Sequence, residues 1–136
     1  MKAMKKYTRG LSLASLALLA TLAACGGGGD DEAGSSGTLT TSMTSIDLKG
    51  GSATTCYSGF AYRVFVYGGA APYQVVTDVP DALVFNQNEV STSVGGVGGY
   101  FDVSGNGVCF AKGTIIVTDK LNNRTTIAVT NVVGTS

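Results

Sequence analysis

The chain has 136 residues, with nine basic and nine acidic side chains, three cysteines and no histidine. The lack of histidine excludes catalysis by Ser-His-Asp or Cys-His groups and removes the commonest general base near neutral pH. A chain of this length has room for one small domain besides a targeting segment.

The N-terminal segment has the three parts of a secretory signal peptide. Residues 1–10 carry four basic and no acidic side chains, and residues 11–24 consist only of Leu, Ala, Ser and Thr. A basic start, a short apolar segment and small residues before the cleavage point define such a signal. The apolar segment is shorter than the roughly 20 residues that a spanning helix needs. We therefore expect residues 1–24 to be a signal-peptide helix that is removed from the mature chain.

The end of this segment reads Leu22-Ala23-Ala24-Cys25 and is followed at once by glycines. It resembles the lipobox of bacterial lipoproteins, whose cysteine is acylated and becomes the first residue of the mature protein. The resemblance implies that Cys25 carries acyl chains such as palmitate, and two or three chains anchor a protein permanently. In that family an Asp after the cysteine commonly directs inner-membrane retention, whereas Gly26 stands here. We expect a lipid-anchored outer-membrane protein, on the periplasmic or the surface side. The alternative is cleavage by ordinary signal peptidase, with Cys25 incidental.

Residues 26–37 read GGGGDDEAGSSG and offer almost nothing to bury. Gly/Ser-rich chains behave as flexible coils, and one of this length spans about 19 Å. We expect residues 25–37 to be the lipidated cysteine and a disordered tether. The acidic run 30–32 is interpreted as a solvated spacer, with an export or partner signal as the alternative.

Residues 38–136 are expected to form one domain, and the charge of the mature chain excludes one class of partner. The signal peptide holds four of the nine basic residues and no acid, so the mature chain keeps five basic and nine acidic side chains, a net charge of −4. This balance argues against a surface that binds nucleic acid or anionic lipid.

The residue pattern of this domain is that of an all-β protein. Runs rich in Thr, Val, Ile, Tyr and Phe are separated by the turn residues Gly, Asn and Asp. No window has apolar residues at the spacing of an amphipathic helix. We predict an antiparallel β-sandwich of about seven strands, with no helix after residue 24. The predicted strands are 38–49, with a break near 42–45, 53–67 in one or two pieces, 73–77, 83–86, 99–103, 113–119 and 125–132.

Two of these segments allow sharper predictions. Residues 60–67 are apolar on both faces, which predicts a central strand covered by its neighbours. Segments 113–119 and 125–132 flank a short loop with Asn122 and Asn123, residues that tolerate positive φ, and this pattern predicts a hairpin. Alternation assigns four hairpin side chains to the core. They are Ile115, Val117, Ile127 and Val129.

The motifs GGAAPYQVV (68–76), TIIVTD (114–119), TTIAV (125–129) and IDLKG (46–50) together resemble bacterial immunoglobulin-like domains. In that family a GG-x-x-PY corner links two core strands and a VTD hairpin closes the domain. The resemblance implies an immunoglobulin-like fold over most of the domain, and it implies no site, because these motifs belong to turns and core. The sequence departs from the family in the glycine-rich excursion 93–99 and in a cysteine pair.

Cys56 and Cys109 remain once Cys25 is acylated. In an oxidising compartment such a pair most simply forms one disulfide, with Cα atoms within about 7 Å. Closing the loop between them would stabilise the folded state by about 4 kcal/mol, because the unfolded chain loses conformational entropy. A nucleophilic thiol or a metal ligand is the alternative, but neither a histidine base nor a histidine co-ligand exists in the chain.

Other candidate sites have simpler explanations. Asp78 and Asp81 flank a Val-Pro turn, where acids are ordinary loop residues. The glycine run 95–99 has no following Lys-Ser/Thr and no helix N-terminus, so a phosphate loop is not indicated. We predict no catalytic residue, no cofactor and no metal.

Two function classes follow from the sequence. The first is a non-enzymatic structural or interaction module that contacts other envelope proteins, surfaces or host molecules. The second is a glycan or small-ligand binding module, because aromatic rings stack on sugars; a small enzyme is the third and weakest interpretation. Loops 92–99 and 68–73 are further expected to carry binding. The aromatic candidates are Tyr67, Tyr73 and Tyr100, with Tyr57 and Phe65.

Overall fold

The computed structural model describes residues 37–94 and 99–135. The predictions made for the signal peptide, for Cys25, for tether residues 26–36 and for glycine-run residues 95–98 lie outside the described residues. None of the described residues forms a helix, so no helix there could cross a membrane.

Within the described residues the chain forms nine strands. They are β1 (Thr40–Thr41), β2 (Ser45–Lys49), β3 (Ser58–Tyr67), β4 (Tyr73–Thr77), β5 (Leu83–Phe85), β6 (Glu89–Val90), β7 (Tyr100–Asn106), β8 (Phe110–Thr118) and β9 (Arg124–Val132).

The strands form two sheets. A four-stranded sheet has the order β1-β3-β7-β5, and a five-stranded sheet has the order β2-β9-β8-β4-β6. Neighbouring strands are antiparallel except β2 and β9, which run parallel with Ser45 opposite Ala128. Buried side chains from both sheets form one hydrophobic core. The fold is therefore all-β and sandwich-like, as the sequence pattern predicts.

The predicted hairpin is confirmed. Strands β8 and β9 are antiparallel neighbours, and Asn122 has a φ of 66° in the turn between them. The four side chains assigned to the core, Ile115, Val117, Ile127 and Val129, are all at most 1% exposed. Alternation alone identifies them because each strand has one face against the other sheet.

Most predicted strands are present, with shifted ends. Segment 73–77 is matched in full, the break between β1 and β2 falls at 42–44, and the second predicted strand begins only at Ser58. Strand β6 was not predicted, because two residues in an Asn-rich stretch give no alternation to detect.

One expectation about β3 is wrong. The strand is interior to its sheet, with β1 on one side and β7 on the other. Its inward residues Val64 and Val66 are fully buried, but Phe65 and Tyr67 on the opposite side are exposed to solvent. In the sequence, the apolar residues on the outer side of β3 indicate that this side is buried. Within the described residues, no further layer covers it.

The disulfide between Cys56 and Cys109 is present, with the Cα atoms 5.3 Å apart. It joins the segment before β3 to the segment before β8. Next to it, the buried Asn131 side chain on β9 accepts a hydrogen bond from the Tyr57 N–H (2.8 Å) and donates to the carbonyl oxygens of Tyr57 (3.1 Å) and Val108 (3.0 Å). A covalent bond and a fully hydrogen-bonded amide thus hold the same two segments together.

Replacing both Cys56 and Cys109 by Ser should lower the free energy of unfolding by about 2–5 kcal/mol, because the unfolded chain regains the entropy that the closed loop removes. Urea unfolding of the wild-type and double-variant proteins measures the difference. A reductant should lower the wild-type midpoint and leave the double variant unchanged. Equal unfolding free energies with and without the bond would contradict this expectation.

Candidate functional site

The outer side of the four-stranded sheet carries a group of aromatic and charged side chains. On antiparallel strands, directly opposite residues project to the same side, and Phe65 lies opposite Tyr100 while Arg63 lies opposite Asp102. We call this group the aromatic face. It consists of Phe60, Arg63, Phe65 and Tyr67 on β3 and Tyr100 and Asp102 on β7.

A bulge in β3 adds Phe60 to the aromatic face. The pairing register shifts between Phe60 and Tyr62, so that Phe60 lies opposite Ser104 while Tyr62 lies opposite Val103. Without the extra residue, alternation would place Phe60 on the same side as Tyr62, toward the other sheet. The bulge therefore turns Phe60 outward, where it is 58% exposed.

Arg63 organises the middle of the aromatic face. Its Nε and Nη2 donate hydrogen bonds to the two carboxylate oxygens of Asp102, at 2.7 and 3.0 Å. Its guanidinium carbon lies 4.0 Å from the centroid of the Tyr100 ring, and that ring makes an edge contact with Phe65 at 6.0 Å between centroids. A bidentate ion pair and a cation–π contact together restrict the rotamers of these side chains before any partner binds.

The ion pair has the expected electrostatic consequences. The hydrogen bonds from Arg63 hold the pKa of the Asp102 carboxyl below its ordinary value, against the opposing effect of partial burial. The same interaction with Asp102 raises the pKa of the guanidinium. Both groups stay charged at neutral pH, and the pair as a whole is neutral.

The arrangement suits recognition. Exposed Phe and Tyr rings offer apolar area with little rotamer entropy to lose, and Tyr, Phe and Arg are enriched at the centres of protein interfaces. Aromatic rings beside hydrogen-bonding groups can also stack on sugars. No described part of the aromatic face combines a nucleophile with a base.

The aromatic residues that the sequence analysis selected lie in three environments, which are the aromatic face, a half-buried position and the core. Phe65, Tyr67 and Tyr100 belong to the aromatic face. Tyr57 is half-buried, and its hydroxyl donates to the carbonyl oxygen of Phe60.

Tyr73 does not fit the expectation of a binding residue. Its ring is 1% exposed and packs in the core, and its hydroxyl donates to the Gly68 carbonyl oxygen at 2.6 Å. Burial raises the pKa of this hydroxyl. A ring in that position cannot contact a ligand at the surface, so we leave Tyr73 out of the candidate site.

The two acids considered at the sequence level, Asp78 and Asp81, make hydrogen bonds to different segments. Asp78 accepts a hydrogen bond from the Thr114 N–H at 2.6 Å, and the backbone carbonyl of Asp81 accepts one from Asn106. Among residues 37–94 and 99–135, no three acidic or cysteine side chains cluster as metal ligands would.

Asp119 has a structural role that the sequence did not indicate. It is 4% exposed and accepts hydrogen bonds from the N–H groups of Ala70, Leu121 and Asn123 and from the Asn123 side chain, at 2.8–3.0 Å. Gly69 lies beside it with a φ of 63°, and a Cβ there would approach the carboxylate to 2.9 Å. Asp119 thereby joins the 68–73 corner to the β8–β9 turn.

This network bears on the loops that were expected to bind a partner. Ala70 is buried at the corner, and its carbonyl oxygen accepts a hydrogen bond from the Lys120 N–H at 2.8 Å. The corner is therefore packed against the β8–β9 turn. Half of the other loop, residues 95–98, lies outside the described residues.

Sequence reasoning missed Phe60, Arg63 and Asp102 as members of a surface. Strict alternation groups Phe60 with Tyr62 and Val64, and nothing in the sequence marks the bulge that places it on the other side. Arg63 and Asp102 are 39 residues apart in the chain, and only strand pairing brings them together. An arginine amid apolar strand residues was the one available signal.

Comparison of the sequence with protein-family models gave no match. Searches of curated proteins and of solved structures likewise gave no significant match.

Replacing Asp119 by Asn should lower the free energy of unfolding at neutral pH. It should also make that free energy depend less steeply on pH in acid. Burial by itself raises the pKa of Asp119, but hydrogen bonds from Asn123, Ala70 and Leu121 outweigh it and hold the pKa below the ordinary value of 3.8. The stabilisation that the carboxylate contributes is therefore complete above pH 3.8, and it is lost as the pH falls through the lower pKa of the folded state.

Urea midpoints measured from neutral pH down to strong acid test this expectation. The wild-type midpoint should fall in acid more steeply than that of the Asp119→Asn variant. Asp81→Asn, at an exposed position, serves as the matched control and should keep the wild-type slope. Parallel pH profiles for Asp119→Asn and the wild type would contradict the role assigned to this carboxylate.

Proposed function

We propose that this protein is a membrane-anchored envelope lipoprotein whose domain is a non-enzymatic, immunoglobulin-like interaction module. The observation that carries the proposal is the aromatic face, a surface of exposed Phe and Tyr rings held around the Arg63–Asp102 pair. A protein that only needed to fold would gain nothing from exposing these rings to water.

The anchor is proposed from the N-terminal sequence. A basic start, an apolar segment and the run that ends in Cys25 resemble the lipobox signal, and the tether 26–37 would separate the domain from the bilayer. The outer membrane is the proposed location, since Gly26 and not Asp follows the cysteine. A disulfide between Cys56 and Cys109 agrees with an oxidising compartment.

The immunoglobulin-like assignment is supported by the role of its motif residues in the fold. The 68–76 motif crosses from β3 in one sheet to β4 in the other, and the 114–119 and 125–129 motifs form the hairpin that Asp119 ties to this crossing. Such a scaffold holds the aromatic face on a rigid sheet rather than on mobile loops.

The proposed partner of the aromatic face is another envelope protein. The face combines Phe60, Phe65 and Tyr67 with an arginine already paired and ordered, so that little desolvation of unpaired charge would accompany docking. Its neutral charge pair favours a partner surface that is apolar at its centre.

A glycan is the second candidate. The observation that favours it is the Arg63–Asp102 pair beside the Tyr100 ring, since sugars need both stacking area and charged hydrogen-bonding groups. Phe60 and Phe65 have no hydroxyl and contribute stacking only, which makes a glycan the less favoured partner.

Placing a photocrosslinking amino acid at Phe60 or Tyr67 should trap a partner in intact cells. The expected product is a discrete protein adduct, identified by mass spectrometry, at both positions of the aromatic face. Val132, which is about as exposed as Tyr67, is the matched control on the other sheet and should give no such adduct.

The outcomes separate the two partner classes. A protein adduct supports the first, and an adduct that glycosidase treatment removes supports the glycan. Loss of the adduct in an Arg63→Ala background would show that the ion pair organises the surface. Equal labelling at Phe60, Tyr67 and Val132 would count against the aromatic face as an interaction surface.

Replacing Cys25 by Ser should abolish anchoring, because a hydroxyl does not accept the diacylglyceryl group that the thiol does. The variant is expected to incorporate no labelled palmitate and to leave the membrane fraction in a high-salt wash. Cys109→Ser controls for the general effect of losing a thiol and should stay anchored. A membrane-bound, palmitate-labelled Cys25→Ser protein would refute the lipoprotein assignment.

A further inference from the structure

An apolar groove of about 440 Å³ runs along the side of the sandwich between β4 and β5. Its walls include Val75, Val76 and Thr77 from β4 and Leu83, Val84 and Phe85 from β5. Val76 and Val84 are 52% and 51% exposed, although both are in strands. Val84 lies opposite Ser104, which pairs with Phe60, so this end of the groove adjoins the aromatic face, but no residue of the aromatic face lines the groove.

Strand β5 has a free edge on this groove. It is the last strand of its sheet and pairs only with β7. The Ala82 carbonyl oxygen accepts a hydrogen bond from the Asn106 N–H at 2.9 Å. The Asn86 N–H donates one to the Asp102 carbonyl oxygen at 3.3 Å. The backbone groups of Ala82 and Asn86 therefore point toward β7. Backbone groups alternate along an antiparallel strand. The N–H and C=O of Phe85 therefore point away from β7, to the free edge.

Strand β4 faces the groove with a partly open edge as well. Its neighbour β6 pairs only with Tyr73 and Gln74, and a further bond joins the Val75 N–H to the Asn88 carbonyl at 2.9 Å. Strand pairing with β6 thus stops before Val76 and Thr77. Two edges of main chain, with apolar side chains between them, are what an added strand needs.

Acidic residues stand close to groove residues in the sequence. Two of their carboxylates already accept a hydrogen bond, Asp78 from the Thr114 N–H (2.6 Å) and Glu89 from the Gln74 side chain (2.7 Å). Asp78 and Asp81 lie on either side of the groove residue Pro80, and Glu89 follows the groove residue Asn88. No lysine or arginine occurs between Arg63 and Lys112 in the sequence. Within the described residues no salt bridge involves any of these three acids, because the one present joins Arg63 and Asp102. A basic segment would be attracted here.

We infer that the groove binds an extended segment of another protein by strand addition to β5, a segment with alternating apolar residues and flanking lysines or arginines. Its backbone would pair with Phe85. One set of its side chains would fill the space between Val76 and Leu83, and the alternate set would point to solvent. The flanking cations would face Asp78, Asp81 and Glu89.

A fluorescent synthetic peptide with alternating Val and Thr, and two lysines at each end, tests the inference on the whole chain purified in detergent. It should bind at least about tenfold more tightly than the same peptide with glutamates at its ends, and the difference should shrink as salt is added. Hydrogen–deuterium exchange should slow over residues 83–87. A lysine peptide N-methylated on alternate residues cannot donate its backbone bonds and should not bind.

Two valine-to-lysine variants, at positions that are 51% and 41% exposed, locate the site. Val84→Lys should weaken binding of the lysine peptide by at least about tenfold, because it adds a cation and removes apolar contact at the edge. Val133→Lys, on a valine outside the groove, should leave binding unchanged. A Phe65→Ala/Tyr67→Ala protein should also keep full affinity, which separates this site from the aromatic face.

The inference is overturned if the lysine peptide does not bind, if both peptides bind equally, or if protection appears on β3 and β7 and not at 83–87. Unchanged affinity in a folded Val84→Lys protein would overturn it too. If that variant does not fold, the N-methylated peptide decides the matter on the wild-type protein, since its undiminished binding excludes strand addition.

Discussion

The hydrogen bonds to the Asp119 carboxylate are the constraint on which the arrangement of the two sheets depends. The chain leaves the four-stranded sheet at the end of β3 and enters the five-stranded sheet at β4, and the short corner between them is held to the β8–β9 turn by Asp119. Gly69 allows the close approach because a side chain there would meet the carboxylate. Since Ala70 and the turn share one buried acceptor, the end of β3 and the start of β4 have defined positions relative to β8.

Both candidate surfaces are consequences of that crossing. Because β3 passes through the middle of its sheet, its inward valines pack in the core and its outward rings form the aromatic face with β7. Because β4 begins directly after the corner in the other sheet, its far end faces the edge strand β5 across an apolar groove. The two surfaces share the same four-stranded sheet, one on its outer side and one at its edge.

Charge is distributed differently over these surfaces. On the aromatic face, Arg63 and Asp102 neutralise each other and order the neighbouring rings. Close in sequence to the groove residues, three acids have no salt-bridge partner among the described residues. The first surface therefore suits a partner with an apolar centre, and the second suits one that contributes positive charge. On the two proposals above, a domain with both features could contact two partners, or two parts of one.

The sequence by itself determined the all-β class, the β8–β9 hairpin with its four core side chains, and the pairing of Cys56 with Cys109, because alternation, turn residues and cysteine count are local or composition-level signals. Tertiary structure alone decided which apolar side chains stay exposed. The bulge that turns Phe60 outward, the burial of Tyr73, the pairing of Arg63 with Asp102 and the open edge of β5 all arise from contacts between distant segments. Periodicity shows which residues share one side of a strand, but the packing of a second sheet decides which side is covered.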